Sequence, residues 1–313
     1  MKANEKPGVG LRERAAAADS GLDGLLVVDK PEGLTSHDVV ARVRRMASTR
    51  RVGHTGTLDP MATGVLVLCL GKATRLIPYI EEAGGAAAKE YEAAIRFGFE
   101  TTTDDAEGDP RGEPVSAAAL DSPSVTVALE GFGGEFEQIP PAFSAKKVAG
   151  ERAYAIARRG GEVEMKASTV QVGMAQLLGL DGEIARVRFA CSRGTYIRSL
   201  ARDLGRKLGV GGHLVALRRT RSGQASLDQA VSLGDLTPEN LLRFLKPMVS
   251  ILPAWPLLRV GEGEVADLRL GRAVNAPLIP AAPAGRVRVC NAALGLVALA
   301  VCDGARLRPF CVF

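Results

Sequence analysis

Gly53-His54-Thr55-Gly56-Thr57-Leu58-Asp59-Pro60-Met61-Ala62-Thr63-Gly64 holds a single carboxylate, Asp59. The nearest acidic residues in the chain are Asp38 before it and Glu81 after it, while Arg42, Arg44, Arg45, Arg50, Arg51, Lys72 and Arg75 fill the interval. Pro60 disfavours the α region for the residue before it, so Asp59 is expected in extended or turn backbone with its side chain aimed. Gly53, Gly56 and Gly64 lack a Cβ and let another backbone or a bulky ligand approach closely. An isolated Leu-Asp-Pro is more often a turn whose aspartate bonds its own backbone. Its surroundings must decide between turn and site.

Working outward, Val65 to Leu70 is a continuously apolar run between Gly64 and Gly71, the pattern of a strand buried on both faces. Upstream, Leu25 to Val28 reads as another buried strand, left through the turn Lys30-Pro31-Glu32-Gly33. Ser36 is placed to cap a helix with Asp38 in its first turn and Val39, Val40, Val43, Met46 and Ala47 as its apolar stripe. Downstream, Tyr91, Ala93, Ile95 and Phe97 alternate with Glu92, Ala94 and Arg96, the period of a half-buried strand opened by Tyr91. Residues 101–114 are acidic with Gly and Pro and read as a surface loop; 124–132 and 152–159 read as short helices. Strands are expected near 170–178 and 184–191, the second with Val187, Phe189 and Cys191 on one face and Arg186 and Arg188 on the other. Tyr196, Leu200, Leu204 and Leu208 then recur at helical spacing, which puts Arg198 in the first turn or two of a helix. From about 224 to 253 the pattern loosens around Pro238, Pro247 and Pro253, and the rest reads as a small, mostly β unit.

With 313 residues the chain has room for roughly two domains. No apolar run reaches the ~18 residues of a membrane span and no signal-peptide core opens the chain, so a cytoplasmic protein without a membrane partner is expected. The formal charge of +5 and arginine clusters at 42–51, 186–206 and 218–221 favour a polyanionic partner. The cysteines at 69, 191, 290, 302 and 311 form no Cys-x-x-Cys pair, and the histidines are His37, His54 and His213 alone. That set suggests neither a metal site nor a disulfide framework.

Several stretches together resemble one family, the bacterial tRNA pseudouridine-55 synthases known as TruB. They are Asp29-Lys30-Pro31-Glu32-Gly33-Leu34-Thr35-Ser36, the Gly53 to Leu66 segment, Lys89-Glu90-Tyr91, Gln138-Ile139-Pro140-Pro141 with Ser144-Ala145-Lys146-Lys147, Gly194-Thr195-Tyr196-Ile197-Arg198 with Asp203-Leu204-Gly205, and Leu217-Arg218-Arg219. The resemblance spans roughly 22–223 and implies an α+β fold: a mixed, mainly antiparallel sheet flanked by helices, followed by a small C-terminal mostly-β PUA-like domain. The polar, Ala-rich stretch over 1–20 has no clear period and reads as a disordered basic tail, and the resemblance implies a catalytic domain over 21–250 and a PUA-like RNA-binding domain over 251–313.

The same resemblance implies isomerisation of a T-loop uridine, at position 55 of tRNA, to pseudouridine by base flipping, with Asp59 as the attacking catalytic aspartate and no metal or cofactor. An oriented carboxylate is a competent nucleophile. By the same resemblance Arg198 pairs with that aspartate, Tyr91 stacks on the flipped uracil, Tyr196 lines the pocket and Leu217 walls it. His54 fills the space in the T-loop that the flipped base leaves, and Lys30 and Pro31 buttress the loop. The implied partner is the T-arm stem-loop of tRNA, with no guide RNA and a monomeric protein. The weighed rivals are a non-catalytic RNA-binding module and a guide-dependent synthase. One departure stands out: Thr102 occupies a position where many family members carry an aspartate, although Asp105 and Gly108 fit.

Overall fold

The computed structural model describes residues 21–143, 147–148, 151–152, 165–276 and 285–313. The tail over 1–20, the Ser144-Ala145-Lys146 part of the basic motif and the helix expected over 152–159 beyond its first residue lie outside the described residues.

The chain opens with β1 (Gly24–Lys30), α1 (Ser36–Met46), β2 (Val52–His54) and β3 (Thr63–Leu70). Then come α2 (Ile77–Glu82), β4 (Lys89–Phe97), a hairpin of β5 (Glu100–Thr101) and β6 (Pro110–Arg111), α3 (Ser122–Glu130) and β7 (Gly134–Gln138). A two-stranded ribbon of β8 (Lys147–Val148) and β9 (Glu151–Arg152) precedes β10 (Ser168–Asp181), β11 (Ile184–Cys191), α4 (Ile197–Lys207) and β12 (Gly212–Ser222). β13 (Ala225–Ser226), β14 (Val231–Ser232) and α5 (Leu241–Phe244) close this part.

The main sheet runs β14-β1-β3-β12-β4-β11-β10-β7, with β2 paired to β3 and β13 to β12. Its contacts are antiparallel except at β14–β1 and β3–β12. This is the expected mixed, mainly antiparallel sheet. One face carries Leu66, Leu68, Leu70, Ile95, Phe97, Val187 and Phe189 under α1, α3 and α4 in one continuous core. Each such side chain contributes about 1.5–3 kcal/mol by leaving water, so the Asp59 loop hangs between strands that the core holds firmly. On β4, β11 and β12 the opposite face pairs its charges across neighbours, as in Arg188–Glu92 at 2.8 Å and Arg221–Glu90 at 2.6 Å, whereas on β3 it carries the buried Val65, Val67 and Cys69.

Several local expectations change. Thr35, not Ser36, caps α1: its hydroxyl accepts from the Asp38 backbone N–H and the Asp38 carboxylate returns to the Thr35 N–H. Ser36 is instead buried one residue further on, where its hydroxyl both accepts from and donates to the backbone of Leu58. The strand that carries Tyr91 begins two residues earlier, at Lys89. Tyr196 stands at the cap of α4 rather than on its apolar stripe, and Ile197, Leu200, Ala201 and Leu204 form that stripe.

The C-terminal unit is a second sheet. β15 (Leu257–Arg259), α6 (Glu262–Arg269), β16 (Val274–Asn275), β17 (Gly285–Cys290), β18 (Leu296–Cys302) and β19 (Arg306–Val312) give the strand order β15-β17-β18-β19-β16. It has its own core around Leu268, Val287, Val289, Ala298 and Leu307. Cys69, Ala73 and Leu76 pack with Met248, Ile251, Leu252, Leu299 and Cys311 where the two sheets meet. Among the described residues no helix is long and apolar enough to cross a membrane.

Candidate active site

Asp59 lies between β2 and β3, and the loop around it is braced from three sides. From below, the fully buried Lys30 ammonium donates to the carbonyls of Pro31 (2.9 Å), Leu34 (2.6 Å) and Pro60 (3.1 Å), tying the turn after β1 to the peptide that follows Asp59. Burial pushes this ammonium down from 10.5 to about 8, against the pull of Asp59. Pro31 itself is exposed. From the strand side, Arg219 is fully buried and donates to the carbonyls of Val65 (2.7 Å), Gly56 (3.1 Å) and Thr57 (3.4 Å). Gly64 has φ +100, and a Cβ there would stand 2.2 Å from the Arg219 carbonyl oxygen. Only glycine lets β12 come this close to the end of the loop.

From above comes Arg198, the second residue of α4. Its guanidinium meets Asp59 with Nη2 donating to Oδ1 at 3.2 Å and Nε 3.0 Å from Oδ2. The Nε–H does not point along that second contact, which is therefore an ion pair without a hydrogen bond. The side chain of Arg198 is 6% exposed and that of Asp59 37%, so the carboxylate opens to solvent while its cation does not. Arg198 is further held by the carbonyls of Thr103 (3.1 Å) and Phe143 (3.0 Å) and by Asp105 Oδ2 at 3.3 Å. A guanidinium is a rigid fork, so these contacts together fix the direction in which it presents itself to Asp59.

The other expected site residues lie on elements that mount or flank the loop: His54 on β2, Tyr91 on β4, Tyr196 at the start of α4 and Leu217 on β12. Tyr91 is buried in β4, directly across from Arg219 of β12, and burial pushes its phenol up to about 12 with the Arg219 side chain opposing. Leu217 is buried opposite Ala93, and its carbonyl accepts from the Thr63 hydroxyl at the end of the Asp59 loop. Tyr196 is half-buried, with its backbone clasped by the Gln138 amide through contacts of 2.9 and 3.1 Å. His54 is half-buried and meets His37 edge-on at 5.8 Å. Among the described residues no group of three or more His, Cys, Asp or Glu side chains converges to hold a metal ion.

Burial, together with His37, Arg219 and Lys89, pushes His54 down from 6.5 to about 4. The unfolded chain therefore takes up this proton first, and the contribution to stability is lost as pH falls from 6.5 towards 4. Replacing His54 by Gln is expected to shrink the drop in Tm between pH 7 and pH 5. An equal drop in both proteins, measured by thermal melts, would show that His54 titrates normally.

The segment 101–114, expected as a surface loop, is in part interior. Thr101, Asp104 and Asp105 are buried: Arg202 and Arg198 of α4 pair with the two aspartates, and the Thr101 hydroxyl donates to the Asp105 carbonyl at 2.6 Å. Acidic residues at 100, 104 and 105 opposite arginines spaced four apart at 198, 202 and 206 were the available signal. Thr102 lies outside this pairing, and its hydroxyl accepts from the Asp109 backbone N–H.

The family model described as TruB family pseudouridylate synthase (N terminal domain) matches residues 44–197, and that of the tRNA pseudouridylate synthase B C-terminal domain matches 198–252. The chain is 49% identical over 278 residues to a tRNA pseudouridine synthase B of Thermobifida fusca (strain YX), covering 85% of this chain and 92% of that protein. It is 45% identical over 303 residues to the same-named protein of Paenarthrobacter aurescens (strain TC1), covering 93% and 95%. In structure it is similar to a chain of an H/ACA RNP bound to a substrate RNA containing 2′-deoxyuridine, with TM-score 0.69 and 25% identity over 94% of this chain and 86% of that one. Because these matches run through both the strands that mount Asp59 and the helix that carries Arg198, the chain belongs to the TruB family of pseudouridylate synthases.

Proposed function

We propose that this protein converts the T-loop uridine at position 55 of tRNA to pseudouridine, with Asp59 as the attacking group. The observation that carries the reading is the Asp59–Arg198 contact: a carboxylate open on one side and gripped on the other by a buried fork is oriented for attack. Asp59 bonds to the nucleoside through a carboxylate oxygen as the N1–C1′ bond breaks, and it is released again as the carboxylate; the base turns, a C5–C1′ bond forms, the C5 hydrogen leaves as a proton and N1 gains one from solvent. Electrons balance within the nucleoside, so the isomerisation calls for no cofactor. A base inside an RNA loop must leave its stack to reach Asp59. Tyr91 offers a ring for the flipped uracil, Leu217 an apolar wall, and Tyr196 a second ring at the rim. His54, on the strand leading into the loop, is held near neutral charge and suits the space that the base vacates. Lys30, with Pro31, supports the loop from below.

The second sheet, from about residue 251, is proposed as a PUA-like RNA-binding domain that extends the contact along tRNA, with 21–250 as the catalytic domain. The protein is proposed to act alone, as a monomer in the cytoplasm and without a guide RNA, since its identity to tRNA pseudouridine synthases B far exceeds that to the H/ACA chain.

Release of tritium from tRNA labelled at uridine C5 tests this directly. Release by the purified protein with no guide RNA is expected; none, with RNA bound, would leave a guide-dependent subunit or an RNA-binding protein. Within the same assay, Tyr91→Ala should slow turnover by about 5- to 150-fold, the worth of one base–aromatic stack at 1–3 kcal/mol, while tRNA affinity changes little. Tyr91→Phe keeps both the ring and the packing and should stay near wild type. Equal losses in rate and binding for Tyr91→Ala would mean that the ring only anchors RNA.

A further inference from the structure

The helix that delivers Arg198 carries arginines at 198, 202 and 206, four residues apart and so on one face. The β5–β6 hairpin lays an acidic residue against each of them. At the outer end Arg206 holds Glu100 with two contacts of 2.6 and 2.7 Å, where the arginine is half exposed. In the middle Arg202 Nη1 stands 2.8 Å from Asp104 Oδ2, both side chains 9% exposed. At the inner end Arg198 Nη1 stands 3.3 Å from Asp105 Oδ2, and its Nη2 and Nε reach Asp59.

The middle rung is built to hold a position. Arg202 has no slack: its Nε donates to Asp203 at 2.9 Å and its Nη2 to the Ile139 carbonyl at 3.0 Å, which also accepts from the Ser199 hydroxyl. Asp104 has φ +62, a left-handed conformation that aspartate and asparagine tolerate better than other residues with a Cβ. Its neighbours on either side supply the two groups that hold Arg198 Nη1, the Thr103 carbonyl and the Asp105 carboxylate. The backbone of the turn is fastened to β12 through Leu214 N–H to Asp104 O at 3.1 Å and Ala106 N–H to Leu214 O at 2.9 Å. Moving Asp104 therefore moves both partners of Nη1, and a rigid fork turned at Nη1 is turned at Nη2 as well. Buried ion pairs contribute little net stability against an apolar replacement, which leaves geometry as what this pair supplies.

We propose that Asp104 and Arg202 are positioning residues for the reaction: their buried pair sets the angle at which Arg198 grips Asp59. The proposal rests on the reading of Asp59 as the attacking group. Asp104→Asn keeps the shape and tolerates the left-handed φ, Arg202→Gln removes the other charge, and the double variant closes a cycle.

With tritium release as the readout, each single variant should lower kcat at least about tenfold, towards the roughly 10²-fold that a 1 Å misplacement can cost, with KM for tRNA within about twofold. The double variant should lose no more than the worse single one, because one device has been removed once. Arg202→Lys, which keeps the charge, should recover part of the rate and serves if a neutral variant fails to fold. Glu92→Gln, which breaks the Arg188–Glu92 pair on the opposite face of the sheet, should leave kcat unchanged.

Wild-type kcat in folded Asp104→Asn, or losses that multiply in the double variant, would overturn the proposal. So would a fall in Tm alone. Asp59→Asn run beside them separates the two ideas. An inert Asp59→Asn with a fully active Asp104→Asn sinks only the positioning role, and an active Asp59→Asn sinks the reading beneath it.

Discussion

Asp59→Asn should abolish pseudouridine formation, lowering turnover by roughly 10⁴- to 10⁶-fold, the scale on which removal of an attacking side chain acts, while the affinity for tRNA stays close to wild type. The amide keeps the volume and one accepting oxygen, so the loop between β2 and β3 should keep its shape: Lys30 holds the Pro60 carbonyl and Ser36 the Leu58 backbone, neither through the Asp59 side chain. Affinity should persist because phosphate contacts dominate binding to nucleic acid. The measurement is tritium release under single turnover, beside filter binding of the same tRNA. A rate within tenfold of wild type would remove Asp59 from the chemistry and return Leu58-Asp59-Pro60 to the status of a turn.

Arg198→Met should be damaging in two separable ways. The longer-lived consequence is structural: the side chain of Asp105 is 6% exposed and would lose its cation, keeping the Thr103 hydroxyl and the Glu107 N–H as donors. Breaking a buried pair by removing one partner costs about 3–5 kcal/mol, which for a domain of this size lowers Tm by about 6 °C or more. The Asp59 contact adds little to that figure, since its carboxylate is partly solvated and screened. The second consequence is catalytic. Without the fork Asp59 is no longer aimed, and kcat should fall by at least about 10²-fold even at temperatures where the variant is folded. Arg198→Lys keeps a charge but presents a point in place of a planar fork, so it should recover stability more than rate. A folded Arg198→Met with wild-type kcat would show that the pair serves the fold alone.

Most of the architecture could be read from periodicity. The apolar run after Gly64, the alternation after Lys89 and the helical recurrence of Leu200 and Leu204 became β3, β4 and α4, because each pattern has one way to bury its apolar side. The errors were at boundaries and in the hairpin. Thr35 and Ser36 are both competent caps, and what decided between them was Leu58, which engages the Ser36 hydroxyl from across the chain. Asp104 and Asp105 look like solvated loop charges until α4 is laid over them; no local pattern states that their partners lie almost a hundred residues away.

Within the candidate site, the sequence by itself singled out two side chains, 139 residues apart, that the structure brings into contact. Asp59 is the one carboxylate in a basic interval, its backbone restricted by the proline after it, and Arg198 is marked by the resemblance of the Gly194-Thr195-Tyr196-Ile197-Arg198 stretch to the family. The tertiary structure decided how they meet. β12 approaches Gly64 closely enough to bring Arg219 under the loop, and the hairpin turns Arg198 on α4 towards Asp59. The physical reason is that residue type and backbone preference are local and survive in the chain as written. The direction of a guanidinium is set by several acceptors at once, and those come from segments that only folding brings together.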